Sequence, residues 1–338
     1  MVERYFFTRL MKKRVVLLHG LLGAPRNWRE FITRVTNVLP HIEIETPALR
    51  FHGDNIDPKA NTRLESSLGT TMGPALDDGG HGGGVSPLEA AADDIAASLD
   101  WKRVNAVIGH SMGGKVGLVF AKRHAEMIVH DGRGQLWVLD AEPWRPRSER
   151  DNGDGDGTSG SGRNTATETP RILACVRRFI REHAQPPADA VSSTSLKSHV
   201  DRAQLKAYAE AEGFSPAIVN WLTSTALKRT QSNKMAFELN FDVDGCEALY
   251  RDYCATDVED VLRFGPMSSS SSSSIRRFHV RGDRSDRIDA EGAARLDTMA
   301  SASGGAMEAF ELRNAGHWVQ HDNLPGLLEI MLPHLAAL

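Results

Sequence analysis

The reactive chemistry of this chain is concentrated around one serine. Ser111 sits in Gly109-His110-Ser111-Met112-Gly113, after the apolar run Val104 to Ile108 and ahead of a helix-like segment from Val116 to Ile128. A serine hydroxyl attacks carbonyls only when a base takes its proton and nearby donors stabilise the developing oxyanion. A sharp strand-to-helix turn meets the second need. It exposes the hydroxyl and aims the following backbone N–H groups at the place where the oxyanion forms. Glycine suits both flanks, because a Cβ at either would clash where strand and helix approach. The bare pattern is weak, expected by chance roughly 0.2 times in a chain this long. Taken alone it also describes a Gly-rich turn with an incidental serine, so context must decide.

Upstream, the apolar run Arg14 to Leu18 ends in His19-Gly20-Leu21-Leu22-Gly23. Such a turn can present the Leu21 N–H beside that of Met112 as a two-donor oxyanion hole. Losing one donor of this kind typically costs about 10²–10³ in rate. His19 reads as a structural hydrogen-bonding residue rather than a base. Downstream, Asn314-Ala315-Gly316-His317-Trp318 follows the last expected strand. An imidazole there, with an unperturbed pKa near 6.5, can accept the serine proton and return it to the leaving group. The chain has 13 histidines. Position favours His317, with His321 second and His110 as a packing residue. For the carboxylate that orients the base, Asp140, Asp283 and Asp286 all stand at strand C-terminal ends, and the residues leave the choice open.

These groups need a scaffold. Short apolar runs at 14–19, 104–108, 135–140, 275–281 and 306–312, with a weaker one at 41–47, alternate with helical patterns. Those patterns span Asn27 (as N-cap) to Leu39, Ser86-Pro87 to Leu99, 291–299 and 324–335. Alternation of this kind predicts a parallel sheet covered by helices on both faces, with its site at the strand C-termini. Residues 171–262 read as mainly helical, over 172–183, 201–212 and 215–227, and would form a cap inserted after Asp140. The expected organisation is an N-terminal arm (1–13), a first core segment (14–144) with a flexible insertion at about 55–85, and a low-complexity linker (145–170). A helical cap (171–264), a Ser-rich linker (265–274) and a second core segment (275–338) follow. The glycine run 79–84 is not placed between strand and helix as a phosphate cradle requires. The Asp-x-Asp-Gly elements of 151–157 lack the twelfth-position glutamate of a calcium loop.

Composition narrows the rest. A chain of 338 residues with a net charge of -4 and no basic aromatic stripe argues against nucleic acid as partner. Cys175, Cys246 and Cys254 show no CxxC spacing and read as reduced thiols. No apolar run approaches the roughly 20 residues of a membrane span. The N-terminal stretch lacks a signal-peptide pattern. The expected setting is the cytoplasm, with the mitochondrion as alternative.

Together these segments resemble the α/β-hydrolase superfamily. More narrowly they resemble the esterase branch around α/β hydrolase domain-containing protein 11 and its bacterial esterase relatives. The pieces that carry the resemblance are His19-Gly-Leu-Leu-Gly23 with Asn27-Trp28, Leu49-Arg-Phe-His-Gly-Asp54, Gly109-His-Ser-Met-Gly-Gly-Lys115, Val138-Leu-Asp140 with Pro143, Asn240-Phe-Asp242 and Asn314-Ala-Gly-His-Trp318. The resemblance implies an α/β-hydrolase fold and a serine esterase with no cofactor and no metal, acting on a small acyl ester or thioester. It places Ser285 of Gly282-Asp-Arg-Ser285 at the usual acid position. Asp140 is thereby favoured, with Asp242, Asp283 and Asp286 as alternatives. Thioester, lactone or C–C hydrolysis and perhydrolase chemistry fit the same machinery. A catalytically idle binding protein on this fold is the competing reading, and oligomeric state is open.

Overall fold

The computed structural model describes residues 12–56, 84–128, 133–146, 165–183, 199–225, 227–229, 237–265 and 275–338. The N-terminal arm up to residue 11, the glycine-rich part of the 55–85 insertion, the Asp/Gly run of the first linker and the serine run all lie outside them.

The chain begins with β1 (Lys13–Leu18), a 3₁₀ turn (Pro25–Trp28), α1 (Arg29–Val38) and β2 (Ile42–Glu45). Next come α2 (Pro87–Ser98), β3 (Ala106–His110), α3 (Met112–Arg123) and β4 (Gln135–Leu139). The segment that follows holds α4 (Thr165–His183), β5 (His199–Val200), α5 (Arg202–Ala211), α6 (Pro216–Thr225), β6 (Leu227–Arg229), β7 (Phe237–Leu239), α7 (Val243–Ala255) and α8 (Glu259–Phe264). The chain closes with β8 (Arg276–Gly282), α9 (Ala290–Ala302), β9 (Met307–Leu312), α10 (Val319–Asp322) and α11 (Leu324–Ala336).

Six strands form one sheet in the order β2-β1-β3-β4-β8-β9, and every neighbouring pair is parallel. Continuous apolar runs are what such strands need, because helices bury both faces. The pleat divides each run. Val16, Leu18, Val107, Leu136 and Val138 face a core shared with α2, α3 and α9. Val15, Leu17, Ile108, Trp137 and Leu139 face the opposite core with α1 and α11.

Three local expectations change. Asn27 is not the N-cap of α1. It lies in the preceding 3₁₀ turn, where its Oδ1 accepts from the Ala24 N–H at 2.6 Å. The elbow helix starts four residues earlier than its apolar pattern, at Met112, and ends at Arg123, while Ile128 forms a bridge with Val104. The segment expected to be helical also contains a small antiparallel sheet, β5-β7-β6. Its strands are two or three residues long, too short to show alternation. Helices α4, α5 and α6 build a third core that includes Leu22 and packs against Leu21 and Trp318, over the C-terminal ends of the main strands. Residues of α7 and α8, by contrast, also enter the first core, through Leu249, Val261 and Leu262.

Candidate active site

Ser111 holds φ 54° and ψ −121°, a conformation that a non-glycine residue adopts only under strain from its surroundings. The flanking glycines make it possible. A Cβ on Gly109 would stand 2.1 Å from the Gly113 carbonyl oxygen, and one on Gly113 would stand 2.4 Å from that of Leu18. The elbow is therefore a backbone-on-backbone contact that no side chain can enter.

With the ring proton on Nδ1, the Ser111 hydroxyl donates to His317 Nε2 at 3.0 Å, and His317 Nδ1–H donates to Asp140 Oδ2 at 2.7 Å. Asp140 is fully buried at the end of β4, with φ 49°. Two further donors reach it from the end of β8 and the turn that follows: the Gly282 N–H to Oδ1 at 3.0 Å and the Ser285 hydroxyl to Oδ2 at 2.5 Å. Ser285, which the resemblance puts at the usual acid position, thus bonds the Asp140 carboxylate instead. Burial pushes the Asp140 pKa up, while the Ser285 and Gly282 donors pull it down. Burial also lowers the His317 pKa well below 6.5, and the charge of Arg287 adds to this, so the imidazole rests neutral.

The other carboxylates are engaged elsewhere. Asp242 caps α7, accepting from the Gly245 N–H at 2.6 Å. Asp283 accepts from the Ala315 N–H at 3.0 Å and so braces the His317 loop from outside. Asp286 lines the cavity beside Ser111. Of the other imidazoles, His110 is buried, and its Nε2–H donates to the His317 carbonyl at 2.7 Å. His321 belongs to the short α10 and is absent from the wall of the Ser111 cavity.

The turn that carries Leu21 is held by two buried imidazoles. His19 donates from Nδ1 to the Gly20 carbonyl and accepts the Leu49 N–H at Nε2. His52 accepts the Leu22 N–H at 2.9 Å and meets His19 edge to face at 5.0 Å. The segment around His52 is itself fixed by the Asn240-Phe-Asp242 stretch, through Gly53 N–H to Asn240 O and Asp242 N–H to Phe51 O. Two motifs far apart in sequence are therefore one paired unit behind the turn. His52 carries no local sequence signal for this role, and the pairing is visible only in three dimensions.

Lys115, the last residue of the elbow motif, is fully buried. Its ammonium donates to the carbonyls of Trp144, Tyr253 and Thr256 at 2.7–3.0 Å and stands 4.1 Å from the Tyr253 ring centroid. It ties the elbow helix to the loop after Asp140 and to the C-terminal end of α7, where a cation is favoured. Burial lowers its pKa to about 8.

A cavity of about 610 Å³ opens over Ser111. Its wall includes Leu21, Met112, His317, Trp221, Tyr250 and Tyr253. That volume lies within the range of small-molecule pockets. Among the described residues no group of three His, Cys, Asp or Glu side chains could hold a metal ion, and no helix is long and apolar enough to cross a membrane.

Residues 13–149 match the family described as alpha/beta hydrolase fold. A marine microorganism esterase superposes with a TM-score of 0.56 at 17% identity, covering 96% of this chain and 95% of that one. The chain has the α/β-hydrolase fold. An esterase from Thermogutta terrifontis shares it with a TM-score of 0.51 at 16% identity, over 96% and 90% of the two chains. So does the enol-lactonase from Burkholderia xenovorans, with a TM-score of 0.52 at 16% identity, over 96% and 92%. In sequence, an abhydrolase domain-containing protein of Schizosaccharomyces pombe is 29% identical over 155 residues. That match spans 45% of this chain and 45% of the relative, less than half of either.

Proposed function

We propose that this α/β-hydrolase-fold chain is a serine esterase that cleaves carboxylic esters through an acyl-enzyme intermediate. The observation that carries the reading is the unbroken series Ser111 hydroxyl, His317 ring, Asp140 carboxylate, at 3.0 and 2.7 Å. His317 takes the Ser111 proton as the oxygen attacks the ester carbonyl. The N–H groups of Leu21 and Met112 receive the oxyanion. The imidazolium, oriented by Asp140, then protonates the departing alcohol, and water repeats the sequence to release the acid. Such a site needs no cofactor, and small acyl esters or thioesters are its expected substrates.

A fluorophosphonate probe tests the reading. Labelling of the wild type that disappears in Ser111→Ala is expected, with p-nitrophenyl ester turnover falling on the order of 10⁶-fold. Wild-type protein that neither labels nor turns over any ester would leave the fold as a binding module. A parallel series of p-nitrophenyl and CoA esters of increasing chain length then separates esters from thioesters.

A further inference from the structure

Three arginines line the cavity over Ser111: Arg171, Arg284 and Arg287. Two are committed to the protein. Arg171 donates to the Glu212 carbonyl and lies over the Phe214 ring, 5.1 Å from its centroid. Arg284 donates to the Asn314 carbonyl. Arg287 differs. Its Nε is buried, yet among the described residues it has no hydrogen-bond partner. A buried ionised donor left unmatched is costly, so in the folded protein a water, an ion or a ligand group completes it.

We propose that Arg287 is a specificity-determining residue that binds a carboxylate carried by the substrate, so that the preferred ester is a half-ester bearing a negative charge. The proposal rests on the serine esterase reading above. A guanidinium presents its donors as a planar fork that fits a carboxylate with two parallel bonds, which an ammonium cannot reproduce. Arg287 stands on the loop between β8 and α9, directly after the turn that holds Asp140, so its backbone is anchored to the reacting groups. It shares the cavity wall with Tyr250 and Tyr253, which give the anionic end a semi-polar surround.

Acidic groups stand nearby, but none of them accepts from the Arg287 Nε. Asp286 lines the same cavity. Burial raises the Asp286 pKa and lifts that of Glu142 to about 7, and the charge of Arg287 acts against both shifts. Glu168 lines the wall as well, on α4. The arginines outnumber these two lining carboxylates three to two.

The test compares matched pairs of esters on the wild type, Arg287→Gln and Arg287→Lys. One pair places the charge in the acyl part, p-nitrophenyl hemiglutarate against p-nitrophenyl valerate. A second places it in the leaving group, 4-acetoxybenzoate against its methyl ester. Wild type is expected to favour the charged member of one pair by on the order of 10- to 100-fold in kcat/KM, chiefly through KM. Arg287→Gln should collapse that ratio towards one, and Arg287→Lys should restore only part of it. Thermal melts and fluorophosphonate labelling of each variant establish that the fold and the nucleophile are intact. A wild type that shows no preference in either pair, or a ratio unchanged in Arg287→Gln, overturns the proposal. Absence of turnover on the neutral esters together with absence of labelling would instead count against the esterase reading itself.

Discussion

At the scale of single residues, Asp140, Asp242 and Asp283 have separate hydrogen-bonding duties. Asp140 is enclosed by three donors, one of them the ring of His317, whereas Asp242 caps a helix. The two should fail differently. Asp140→Asn keeps the shape but loses the charge and tautomer control behind the imidazole, so kcat should fall by about 10³–10⁴. Asp242→Asn keeps a competent cap and should change stability by about 1 kcal/mol or less, with little effect on kcat. Steady-state kinetics and melting curves of the two variants check this, and equal losses of kcat would remove the distinction. Sequence could place Asp140 among the candidates because strand C-termini are where sites form. It could not rank it by spacing, because the decisive donors, Gly282 and Ser285, arrive from a strand about 140 residues further on. Arg287 was invisible for a similar reason. One arginine among many becomes unusual only when its buried Nε is seen to lack a hydrogen-bond partner.

At the scale of elements, the elbow was legible because its glycines answer a purely geometric demand. Gly113→Ala would drive a Cβ to 2.4 Å from the Leu18 carbonyl oxygen and 2.5 Å from that of His19, so the backbone at the end of β1 would have to shift. Gly117, one turn further along α3, would place its Cβ no closer than 3.4 Å to any side chain. The expected outcome is loss of soluble or probe-reactive protein for Gly113→Ala. Gly117→Ala should be neutral or stabilised by up to about 1 kcal/mol, from the higher helix propensity of alanine. Thermal melts with active-site labelling compare the pair directly, and a well-folded, fully labelled Gly113→Ala protein would contradict the account of the turn. The six main strands were legible for an equally physical reason, since burial on both faces requires apolar runs. The small β5-β7-β6 sheet was not, because strands of two and three residues leave no period to read. Nor did composition reveal that α7 and α8 enter the main core, or that α7 also packs with Leu22 in the third.

For the whole molecule, the telling pattern is a set of imidazoles kept neutral by burial. His19 and His110 have pKa values lowered to about 3, and His52 to about 4. Unfolding returns each to about 6.5. Below that value the unfolded chain binds more protons than the folded one, so stability present above pH 6.5 is lost as pH falls towards 4. Three such groups can contribute up to about 4 kcal/mol per pH unit in that window. The raised carboxylates Asp140, Glu142 and Asp286 oppose this over part of the range, while His279 and His317, also lowered, reinforce it. Chemical denaturation between pH 7.5 and 4.5 should show a steep decline on the acid side, and a flat profile would mean that these rings are hydrated in the native state.

The junction between β4 and β8 has a wider meaning. Ser111 and Asp140 come from the first part of the chain, while His317 and the groups that grip Asp140 come from the last part, across more than a hundred intervening residues. A molecule whose final strands paired elsewhere could still form the complete elbow, strained serine included, and yet remain inert. On the proposed serine-esterase reading, reactivity in this chain is thus a certificate of correct topology: the serine is armed only by segments made well after it, so a half-made or misassembled copy carries no loose nucleophile.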